Sequence, residues 1–333
     1  MELSIVLVNF KSPHLLLNCI ESILLFDISN LEIIVVDNFS QDDTEELLIQ
    51  KYPQVRFVQM GYNSGFARAN NAGIRIAKAE VVLLLNSDTI VIDDAINKSL
   101  QSFVSSDFVA CGVQLLNEDG TPQISGNYVM KGALNNLLPL PILGNFLKKI
   151  AEGINIKKTN LPEASSLEEV DWINGAFLMV KKSAIEKAGL MDEDFFLYAE
   201  EAEWCGRLKK YGKLCIYGQY KVLHLQGETA NEAFASSGKG YFNLFDRKGL
   251  QIMLSNFLRI RKQFGLGWYF FHLLFYISNI LIFFFGIILS KIFQSSKSRF
   301  NFGQWAGYTK NIISLVAFLP SIVTNKRRLY KVL

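Results

Sequence analysis

The sequence predicts an α/β protein whose mostly parallel sheet is flanked by helices and is followed by a hydrophobic, helical C-terminal region. The first 110 residues alternate short apolar runs with amphipathic segments, which is the pattern of βαβ units. Polar residues follow each apolar run. Half of all residues are hydrophobic and the mean hydropathy is positive, which indicates a local apolar segment rather than an evenly apolar fold.

Four strands and three helices are predicted in this first part of the chain. Each strand is a short apolar run, and each helix carries apolar residues at helical spacing. Ser40 or Asp42 is expected to cap the second helix. The strands are expected at Leu3–Asn9, Glu32–Asp37, Val55–Met60 and Val81–Leu85, and the helices at Leu15–Leu25, Asp42–Lys51 and Phe66–Lys78.

An irregular segment separates this part from a second regular part. The periodicity is lost from about residue 128 to residue 170, and the proline-broken apolar segment Leu134–Leu147 is interpreted as an insertion or acceptor-side loop. Regular patterns then return. They predict a strand at Ile173–Val180, a polar helix at Glu200–Tyr211 and a strand pair within Lys213–Leu225.

The C-terminal region contains two uncharged runs of different length. Gln263–Ser290 has 28 residues without a charge, whereas a helix needs about 20 residues to cross a bilayer core. Asn311–Asn325 is shorter and contains Pro320, so it suits an interfacial or re-entrant segment. Basic residues precede the first run and follow the second, and both flanks are therefore expected on the cytoplasmic side. The alternative is a long buried helix in a soluble domain.

Charge, cysteines and the N-terminus restrict the class of protein. The net charge is +3 and the basic residues form no stripe before the C-terminal third, so nucleic acid is not an expected partner. The cysteines show no CxxC pair and no metal-ligand spacing, which predicts reduced, buried thiols. The N-terminus lacks the pattern of a secretory signal, and a cytoplasmic domain is expected. The four cysteines are Cys19, Cys111, Cys205 and Cys215.

The polar residues that follow the apolar runs predict a ligand site at one edge of the sheet. In parallel sheets, ligands bind beyond the carboxyl ends of the strands. Asp88 follows the fourth strand, where a helix cap is the alternative role, although Asp93 or Asp94 can serve as that cap. Mg²⁺ commonly takes one or two protein carboxylates and completes its shell with phosphate and water. One aspartate is therefore sufficient to bind the cation of a diphosphate ligand.

Six segments of the sequence occur in the order of one enzyme family. Over roughly residues 1–255 the chain resembles the family 2 glycosyltransferases of GT-A fold, particularly their rhamnosyltransferase-like branch. The resemblance implies inverting transfer of a sugar from a nucleotide diphosphate sugar, with Mg²⁺ or Mn²⁺ bound where LNSD replaces the DxD-type motif. The segments are SIVLVNF, VVDNFS, NSGFARANNAGI, LLLNSD, INGAFLMV, and DEDFFLYAEEAEWCGRLKKYG followed by VLHLQG.

The resemblance also assigns residues to the nucleotide sugar and its cation. Asp37 and Asn38 match positions that hydrogen-bond the base, for which an Asx turn is the alternative. UDP and dTDP sugars both present the required base edge. His224 matches a position near the metal, for which a structural histidine is the alternative. The donor positions are Asn9, Asp37, Asn38, Asn63, Gly65, Arg68, Asn71, Asn86 and Asp88, and the metal positions are Asp88 and His224.

The acidic block at the start of the predicted polar helix provides the candidate general base. Carboxylates are favoured there by the helix dipole even without a catalytic role, and Glu203 is expected to pair with Arg207 at i,i+4. The family motif has its catalytic carboxylate at the second acidic position after the tyrosine, which is Glu201. The usual residue is aspartate, and Glu200 is the reserve candidate. An acceptor hydroxyl needs such a base because it is a poor nucleophile at neutral pH.

The acceptor side of the cleft and the membrane region complete the predicted organisation. Trp172, Asn174 and Gly175 match the acceptor and sugar side, together with Glu200. The acceptor is expected to be a glycan or a lipid-linked saccharide at the cytoplasmic face of a membrane. We predict a GT-A catalytic domain over residues 1–255 and a membrane-associating region over 256–333. Within the domain, residues 1–110 form the nucleotide-binding half and residues 111–255 the acceptor-side half.

Three other functions are considered. A nucleotidyltransferase acting on a sugar phosphate would attack the α-phosphorus, but its glycine-rich loop is missing from Asn9–His14. A polyprenyl-phosphate sugar transferase stays open, whereas the QxxRW element of processive synthases does not occur in the sequence. A non-enzymatic membrane adaptor would not need Asp37, Asp88, Glu201 and His224 together.

Overall fold

The computed structural model describes residues 2–154, 159–226, 229–236, 243–292 and 300–332. Gly227, which ends the VLHLQG segment, lies outside the described residues. The chain divides into two compact units. The first unit comprises Met1–Val129, Asn160–Phe196 and Glu200–Thr229, and the second comprises Met130–Thr159, Leu197–Ala199 and Ala230–Leu333.

All of the described strands belong to the first unit. They are β1 (Leu3–Asn9), β2 (Leu31–Asp37), β3 (Arg56–Gln59), β4 (Val81–Asn86), β5 (Thr89–Val91), β6 (Ala110–Leu116), β7 (Gly126–Asn127), β8 (Asn160–Leu161), β9 (Leu167–Val170), β10 (Trp172–Ile173), β11 (Phe177–Lys181) and β12 (Leu214–His224). The main sheet has the order β3-β2-β1-β4-β11-β6-β12-β5, and β9 also pairs with β12. The first four strands of this order are parallel. β11 runs antiparallel to both of its neighbours.

Helices cover the main sheet and also form the second unit. They are α1 (Pro13–Leu24), α2 (Thr44–Lys51), α3 (Phe66–Ile76), α4 (Ala95–Val104), α5 (Leu143–Gly153), α6 (Lys182–Ala188), α7 (Glu200–Leu208), α8 (Thr229–Phe234), α9 (Arg247–Phe264), α10 (Leu266–Ile292), α11 (Phe302–Ala317) and α12 (Leu319–Val323). A 3₁₀ helix covers Lys131–Leu137. The strands β7, β8 and β10 form a small separate sheet.

The centre of the first unit is apolar on both faces of the sheet, as expected for parallel strands covered by helices. Five of the six residues of β4 are buried. Gly73 allows α3 to approach β1 closely, because a Cβ atom at this position would lie 2.4 Å from Val6 Cγ1. The sequence-based strands and helices of residues 3–78 agree with this structure to within two residues at each end.

Of the two residues expected to cap α2, only Asp42 bonds to the start of the helix. Its Oδ1 accepts from the Thr44 backbone N–H at 3.1 Å. The Ser40 hydroxyl instead donates to the Asp37 carboxylate at the end of β2. Ser40 therefore belongs to the polar edge of the sheet.

Three predictions about the middle of the chain are wrong. Leu134–Leu147 is not a loop, because it contains most of the 3₁₀ helix and the start of α5, with Leu137 and Leu140 buried. The expected strand at Ile173–Val180 is interrupted, and β10 and β11 belong to different sheets. The expected pair within Lys213–Leu225 is the single strand β12, whose register against β6 shifts between Tyr217 and Lys221. This shift keeps one strand continuous where the sequence pattern suggested a turn.

In the second unit, α10 contains the first uncharged run except for its first three residues, because Gln263 and Phe264 end α9 and Gly265 separates the two helices. By length and composition it is the one helix among the described residues that could cross a membrane. The second run forms the last seven residues of α11 and all of α12. All four cysteines are free and buried, which confirms the prediction of reduced core thiols.

Candidate active site

The carboxylate of Asp37 lies at the end of β2 and accepts hydrogen bonds at both oxygen atoms. Oδ1 accepts from Asn9 Nδ2 at 3.0 Å and from the Ser40 hydroxyl. Oδ2 accepts from the Ser40 backbone N–H at 2.9 Å and from Gln59 Nε2 at 3.0 Å. Of these partners only Gln59 is exposed. A nucleobase that bound to Asp37 would therefore replace the Gln59 amide as a hydrogen-bond partner of the carboxylate.

Asn9 organises this end of the sheet from inside. Its side chain is buried, and its Nδ2 lies within hydrogen-bond distance of Asp37, Ser40 and Thr44. The parallel register that sets Asn9 opposite Asp37 brings the two side chains together. Asn9 thus holds the turn after β2, and a direct contact with the donor stays a prediction.

Asn38 links the same edge to the loop before α3. Its Oδ1 accepts from the Ser64 backbone N–H and hydroxyl, both at 2.8 Å, and its Nδ2 donates to Asn63 Oδ1 at 3.1 Å. Asn38 and Asn63, both of which are predicted donor positions, are therefore in direct contact. Their side chains join the turn after β2 to the start of α3.

The start of α3 is tied to the segment at residues 191–196. Gly65 has a φ of +82°, and a Cβ atom there would lie 2.3 Å from the Phe196 carbonyl oxygen. The predicted close backbone approach at Gly65 is thus made to the protein's own chain. Asn71 exchanges hydrogen bonds with the Met191 backbone at 2.9 and 3.0 Å. A donor contact from Asn71 stays a prediction.

Arg68 is half-buried on the same helix. Its Nε donates to the Glu193 carbonyl oxygen at 3.0 Å, and its Nη1 donates to the Tyr62 hydroxyl at 3.2 Å. These contacts hold the guanidinium beside the loop that precedes α3. A phosphate contact is still a prediction for this residue, and it would have to be made alongside the contact with the Glu193 carbonyl.

Asp88 and His224 come together through the pairing of β5 with β12. Asp88 immediately precedes β5, and Thr89 pairs with His224 in antiparallel register. His224 Nε2 lies 3.4 Å from Asp88 Oδ1 and 3.3 Å from Asn86 Nδ2. Both members of the Asp88–His224 pair are largely buried, with side-chain exposures of 17% and 12%. The structure thus brings together the two residues predicted to bind the metal.

Gln123 determines which nitrogen of His224 carries the proton. The Gln123 Nε2 atom has three carbonyl oxygens as acceptors, those of Leu116, Asn117 and His224. The remaining oxygen, Oε1, lies 2.9 Å from His224 Nδ1 and accepts a hydrogen bond from the Nδ1–H group. In the neutral imidazole, the Nε2 lone pair is then directed to the side where Asp88 lies. An orienting partner of this kind is usual for metal-binding histidines.

This donor set fits a divalent cation. A neutral imidazole nitrogen and a carboxylate oxygen are both ligands of Mn²⁺, and a carboxylate suits Mg²⁺. Among the described residues no group of three His, Cys, Asp or Glu side chains could hold a metal. The other positions would therefore have to come from a bound diphosphate and water.

The acidic start of α7 lies against Gly175. A Cβ atom at Gly175 would lie 3.6 Å from Glu201 Cγ, an ordinary van der Waals distance, so the Glu201 side chain lies directly beside this position. The backbone N–H of Asn86 donates to the Ala176 carbonyl oxygen at 3.1 Å. The end of β4, where Asn86 contacts His224, is therefore next to the segment that faces Glu201.

Two buried polar atoms near this segment have no hydrogen-bond partner among the described residues. They are Trp172 Nε1 and Glu200 Oε2. Asn174, in contrast, is used within the protein, because its Nδ2 donates to the Ile124 carbonyl and its Oδ1 accepts from the Ala176 N–H. Trp172 and Glu200 are thus the better candidates for contact with a sugar or water.

Burial and the nearby Glu201 charge raise the pKa of Glu200 well above its usual range. Glu200 follows Tyr198 and Ala199, which both have positive φ, at 73° and 65°. Non-glycine residues in this conformation cost roughly 1–3 kcal/mol each and concentrate at functional sites.

Glu203 forms its expected ion pair with Arg207 at 2.8 Å, so its role in α7 is structural.

The sequence analysis missed the residues that support this site. Gln123, Gln59 and Thr44 belong to none of the recognised segments, and no periodic or spacing signal marks them. Gln123 orients His224, while Gln59 and Thr44 contact Asp37 and Asn9. A single polar residue outside a motif has no signal in one sequence.

A family model named Glycosyl transferase family 2 matches residues 4–169. Through this segment the chain belongs to the family 2 glycosyltransferases. The matched segment contains all of the predicted donor positions, including Asp88. It ends before α7 and His224.

Two curated relatives each match more than 60% of the chain. One is the low-salt glycan biosynthesis hexosyltransferase Agl10 of Haloferax volcanii, 27% identical over 63% of this chain and 62% of its own length. The other is the N-acetylglucosaminyl-diphospho-decaprenol L-rhamnosyltransferase of Mycobacterium tuberculosis, 25% identical over 62% of this chain and 70% of its own. The chain thus matches less than two thirds of the length of Agl10.

The same fold occurs in a crystal structure of GalNAc-T7 with UDP, GalNAc and Mn²⁺. The TM-score is 0.50, the identity 14%, and the coverage 67% of this chain and 43% of the other. At this identity the likeness is one of fold. It identifies the mixed sheet with its flanking helices as GT-A-like.

Proposed function

We propose that the protein is an inverting glycosyltransferase that moves a sugar, rhamnose in the first instance, from a nucleoside diphosphate to an acceptor hydroxyl. The observation that carries the proposal is the Asp88–His224 pair, in which His224 Nε2 lies 3.4 Å from Asp88 Oδ1 and Nδ1 lies 2.9 Å from Gln123 Oε1. Asn86 joins this pair to the segment that faces Glu201. A cation position and a candidate base therefore lie at neighbouring points of one sheet edge.

The donor would lie along the carboxyl ends of β1, β2 and β4. Asp37 and Asn38 are proposed to recognise the N3–H and carbonyl edge of uracil or thymine, after displacement of the exposed Gln59 amide. Asp88 and His224 would hold Mg²⁺ or Mn²⁺, which stabilises the charge of the departing diphosphate when it is bound. Arg68 is proposed as a second positive group for that charge.

Glu201 is proposed to accept the proton of the acceptor hydroxyl. The acceptor oxygen forms a bond to the anomeric carbon, and the bond from that carbon to the diphosphate oxygen breaks. The nucleoside diphosphate leaves with the electron pair, while the proton moves to the Glu201 carboxylate. Attack opposite to the leaving group inverts the anomeric centre. Glu200 lies on the same turn but is buried, and burial raises its pKa, so it stays protonated to a higher pH than an exposed glutamate and is kept as the reserve candidate.

The acceptor is proposed to be a lipid-linked saccharide at the cytoplasmic face of a membrane. The M. tuberculosis relative is named for a diphospho-decaprenol acceptor, and α10 has the length and composition of a membrane-associated helix. A cytoplasmic face would agree with the reduced cysteines and with a nucleotide sugar donor. Synthesis of a cell-surface polysaccharide is the process to which such a step would belong.

The test is a panel of UDP and dTDP sugars given to the full-length protein with Mg²⁺, Mn²⁺ or excess chelator. Binding is measured by calorimetry, and transfer to a polyprenyl-diphospho-N-acetylglucosamine is followed by mass spectrometry. We expect one donor, dTDP-rhamnose first, to bind with a cation and to give a product of inverted configuration by NMR. Retention of configuration, or binding of no nucleotide sugar, would contradict the proposal.

A further inference from the structure

The helix α10 has two faces of opposite character. Its buried residues follow a helical stripe that includes Tyr269, His272, Tyr276 and Phe283. The other side of the helix is apolar and exposed. This exposed stripe consists of Phe270, Leu274, Ile277, Leu281, Phe285 and Leu289. With intervals of three or four residues, these side chains form one continuous strip along a helix about 40 Å long.

The buried face is fixed to the second unit by polar contacts. His272 Nε2 lies 2.8 Å from the Gly132 carbonyl oxygen, and the Tyr276 hydroxyl donates to the Asn136 carbonyl at 2.9 Å. Trp305 Nε1 donates to the Ile280 carbonyl at 3.0 Å. These bonds hold the 3₁₀ helix and α11 along one side of α10. The helix is therefore a component of the packed unit rather than an isolated anchor.

An irregular polar segment lies beside the second half of α10. The rings of Phe245 and Phe283 have centroids 5.8 Å apart. Asn311 Nδ2 donates to the carbonyl oxygens of Leu244 and Asp246, and the Asp246 carboxylate caps α9. If α10 crossed a bilayer, this loop and its carboxylate would lie near the middle of the hydrocarbon. Irregular backbone and charge are very unfavourable there.

The charge of the C-terminal region is opposite to that of an anionic lipid surface. Residues 247–333 contain 13 lysines and arginines and no aspartate or glutamate. Residues 1–246 contain 21 basic and 31 acidic residues. Residues 247–333, which include the helix with the apolar stripe, therefore carry a net charge of +13, whereas residues 1–246 carry a net charge of −10. Each basic residue near such a surface contributes about 1 kcal/mol.

We infer that α10 lies in the plane of an anionic membrane surface, with the exposed stripe inserted among the lipids and the opposite face kept within the protein. This inference refines the membrane association of the proposed function. Helices that lie at an interface combine one apolar face with basic surroundings, as this one does. The orientation leaves the polar loop at residues 243–246 outside the hydrocarbon.

The first test measures partition of the full-length protein onto vesicles of phosphatidylcholine with and without phosphatidylglycerol. We expect binding to the anionic vesicles and a decrease of about tenfold or more when Leu274 and Leu281 are both replaced by glutamate. The matched control is Ile49→Glu, because Ile49 on α2 is as exposed as Leu281, at 63% against 64%. Equal partition of the stripe variant and the wild type would overturn the inference.

The second test separates a helix in the plane from a helix that spans. Single-cysteine variants Leu274→Cys, Leu281→Cys and Leu289→Cys are labelled with a fluorophore, which is selective because the four native cysteines are buried. Quenching by lipids brominated at defined depths is then measured. We expect three equal, shallow depths. A spanning helix would separate the first and last probes by about 22 Å along the helix axis, with the middle probe deepest.

A second copy of the chain is the other occupant that could cover the stripe. A detergent-free dimer that dissociates on Leu281→Glu and does not bind vesicles would show this and overturn the inference. Donor binding is measured on the same variants by calorimetry. If donor binding persists while vesicle binding is absent, the membrane inference fails and the transferase proposal stands. If vesicle binding persists while donor binding is absent, the membrane inference stands and the transferase proposal fails.

Discussion

His224 Nε2 lies 3.4 Å from Asp88 Oδ1, although the two residues are far apart in the sequence. The antiparallel pairing of β5 with β12 brings them together. Gln123 Oε1 faces the Nδ1 atom of the imidazole, which leaves Nε2 on the side of Asp88. Two potential ligands, an imidazole and a carboxylate, are thus arranged in advance for a cation that accompanies a diphosphate.

Replacement of Asp88 by alanine is expected to remove the cation dependence of donor binding. The diphosphate would lose the carboxylate that anchors its counter-ion, so affinity should fall at least tenfold. Calorimetric titration with the nucleoside diphosphate, with and without Mn²⁺, measures this. His224→Ala should give a smaller loss of the same kind. Undiminished transfer in excess chelator would show that the pair does not bind a metal.

Gln123→Leu is expected to weaken Mn²⁺ binding by about 10- to 100-fold, because the variant lacks the acceptor that keeps the proton on His224 Nδ1. Nitrogen NMR of the labelled imidazole should show a mixture of tautomers in place of one. Asn117→Ala is the matched control, since it removes a partner of the Gln123 nitrogen and leaves the Oε1 acceptor. An unchanged tautomer in Gln123→Leu would refute the positioning role.

Glu201→Gln should leave donor affinity nearly intact and lower turnover by about 10²-fold or more, as expected for loss of a transition-state proton acceptor. Calorimetry gives the affinity, and single-turnover transfer gives the rate. Glu200→Gln is the comparison, because it changes the neighbouring carboxyl on the same helix. If only Glu200→Gln loses turnover, Glu200 is the base instead.

Glu200 is expected to make the protein less stable as the pH rises. Its folded-state pKa is raised by burial and by Glu201, whereas in the unfolded chain it titrates near 4.5. Below pH 4.5, Glu200 is protonated in both the folded and the unfolded state, and the stability that depends on its protonated form is fully present. Above it the unfolded state ionises first, so the free energy of unfolding falls by up to about 1.4 kcal/mol per pH unit until the folded pKa is passed. Urea unfolding between pH 4.5 and 8 should show a flatter profile for Glu200→Gln, and identical profiles would contradict this account.

Gly65→Ala tests the close contact between the start of α3 and Phe196. Gly120 is the control, because its φ of +80° is nearly that of Gly65 but nothing lies within 4 Å of a Cβ atom there. We expect about 1 kcal/mol of destabilisation for Gly120→Ala, from backbone conformation alone. Gly65→Ala should cost roughly 2 kcal/mol more, since the new methyl group meets a backbone carbonyl. Equal changes in the midpoint of thermal unfolding would argue against this contact.

Much of the first unit could be predicted from the sequence, because its signals are local. Apolar runs such as Val81–Leu85 form strands in a sheet that helices cover on both faces. The predicted bounds of this strand agree with the structure to within one residue. The polar residues after these runs mark the edge where the ligand site was expected. The family resemblance was likewise carried by short contiguous segments. Each of these signals can be recognised without knowing which residues are in contact across the fold.

The middle of the chain was predicted poorly because its structure depends on distant partners. Leu134–Leu147 has proline-broken periodicity, yet burial of Leu137 and Leu140 within the second unit stabilises helical turns there. The shift in β12 after Tyr217 likewise depends on its register with β6. A pattern of apolar residues cannot report which surface will cover them.

The sequence by itself therefore determined the fold class, the family and the residue types at the site. Only the tertiary structure decided that Asp88 faces His224, that Gln123 orients the imidazole, and that α10 keeps one side within the protein. The physical reason is that residue types and periodicity are properties of neighbouring positions along the chain. Proton positions and the exposed face of a helix depend on strand pairing and side-chain packing between residues far apart in sequence.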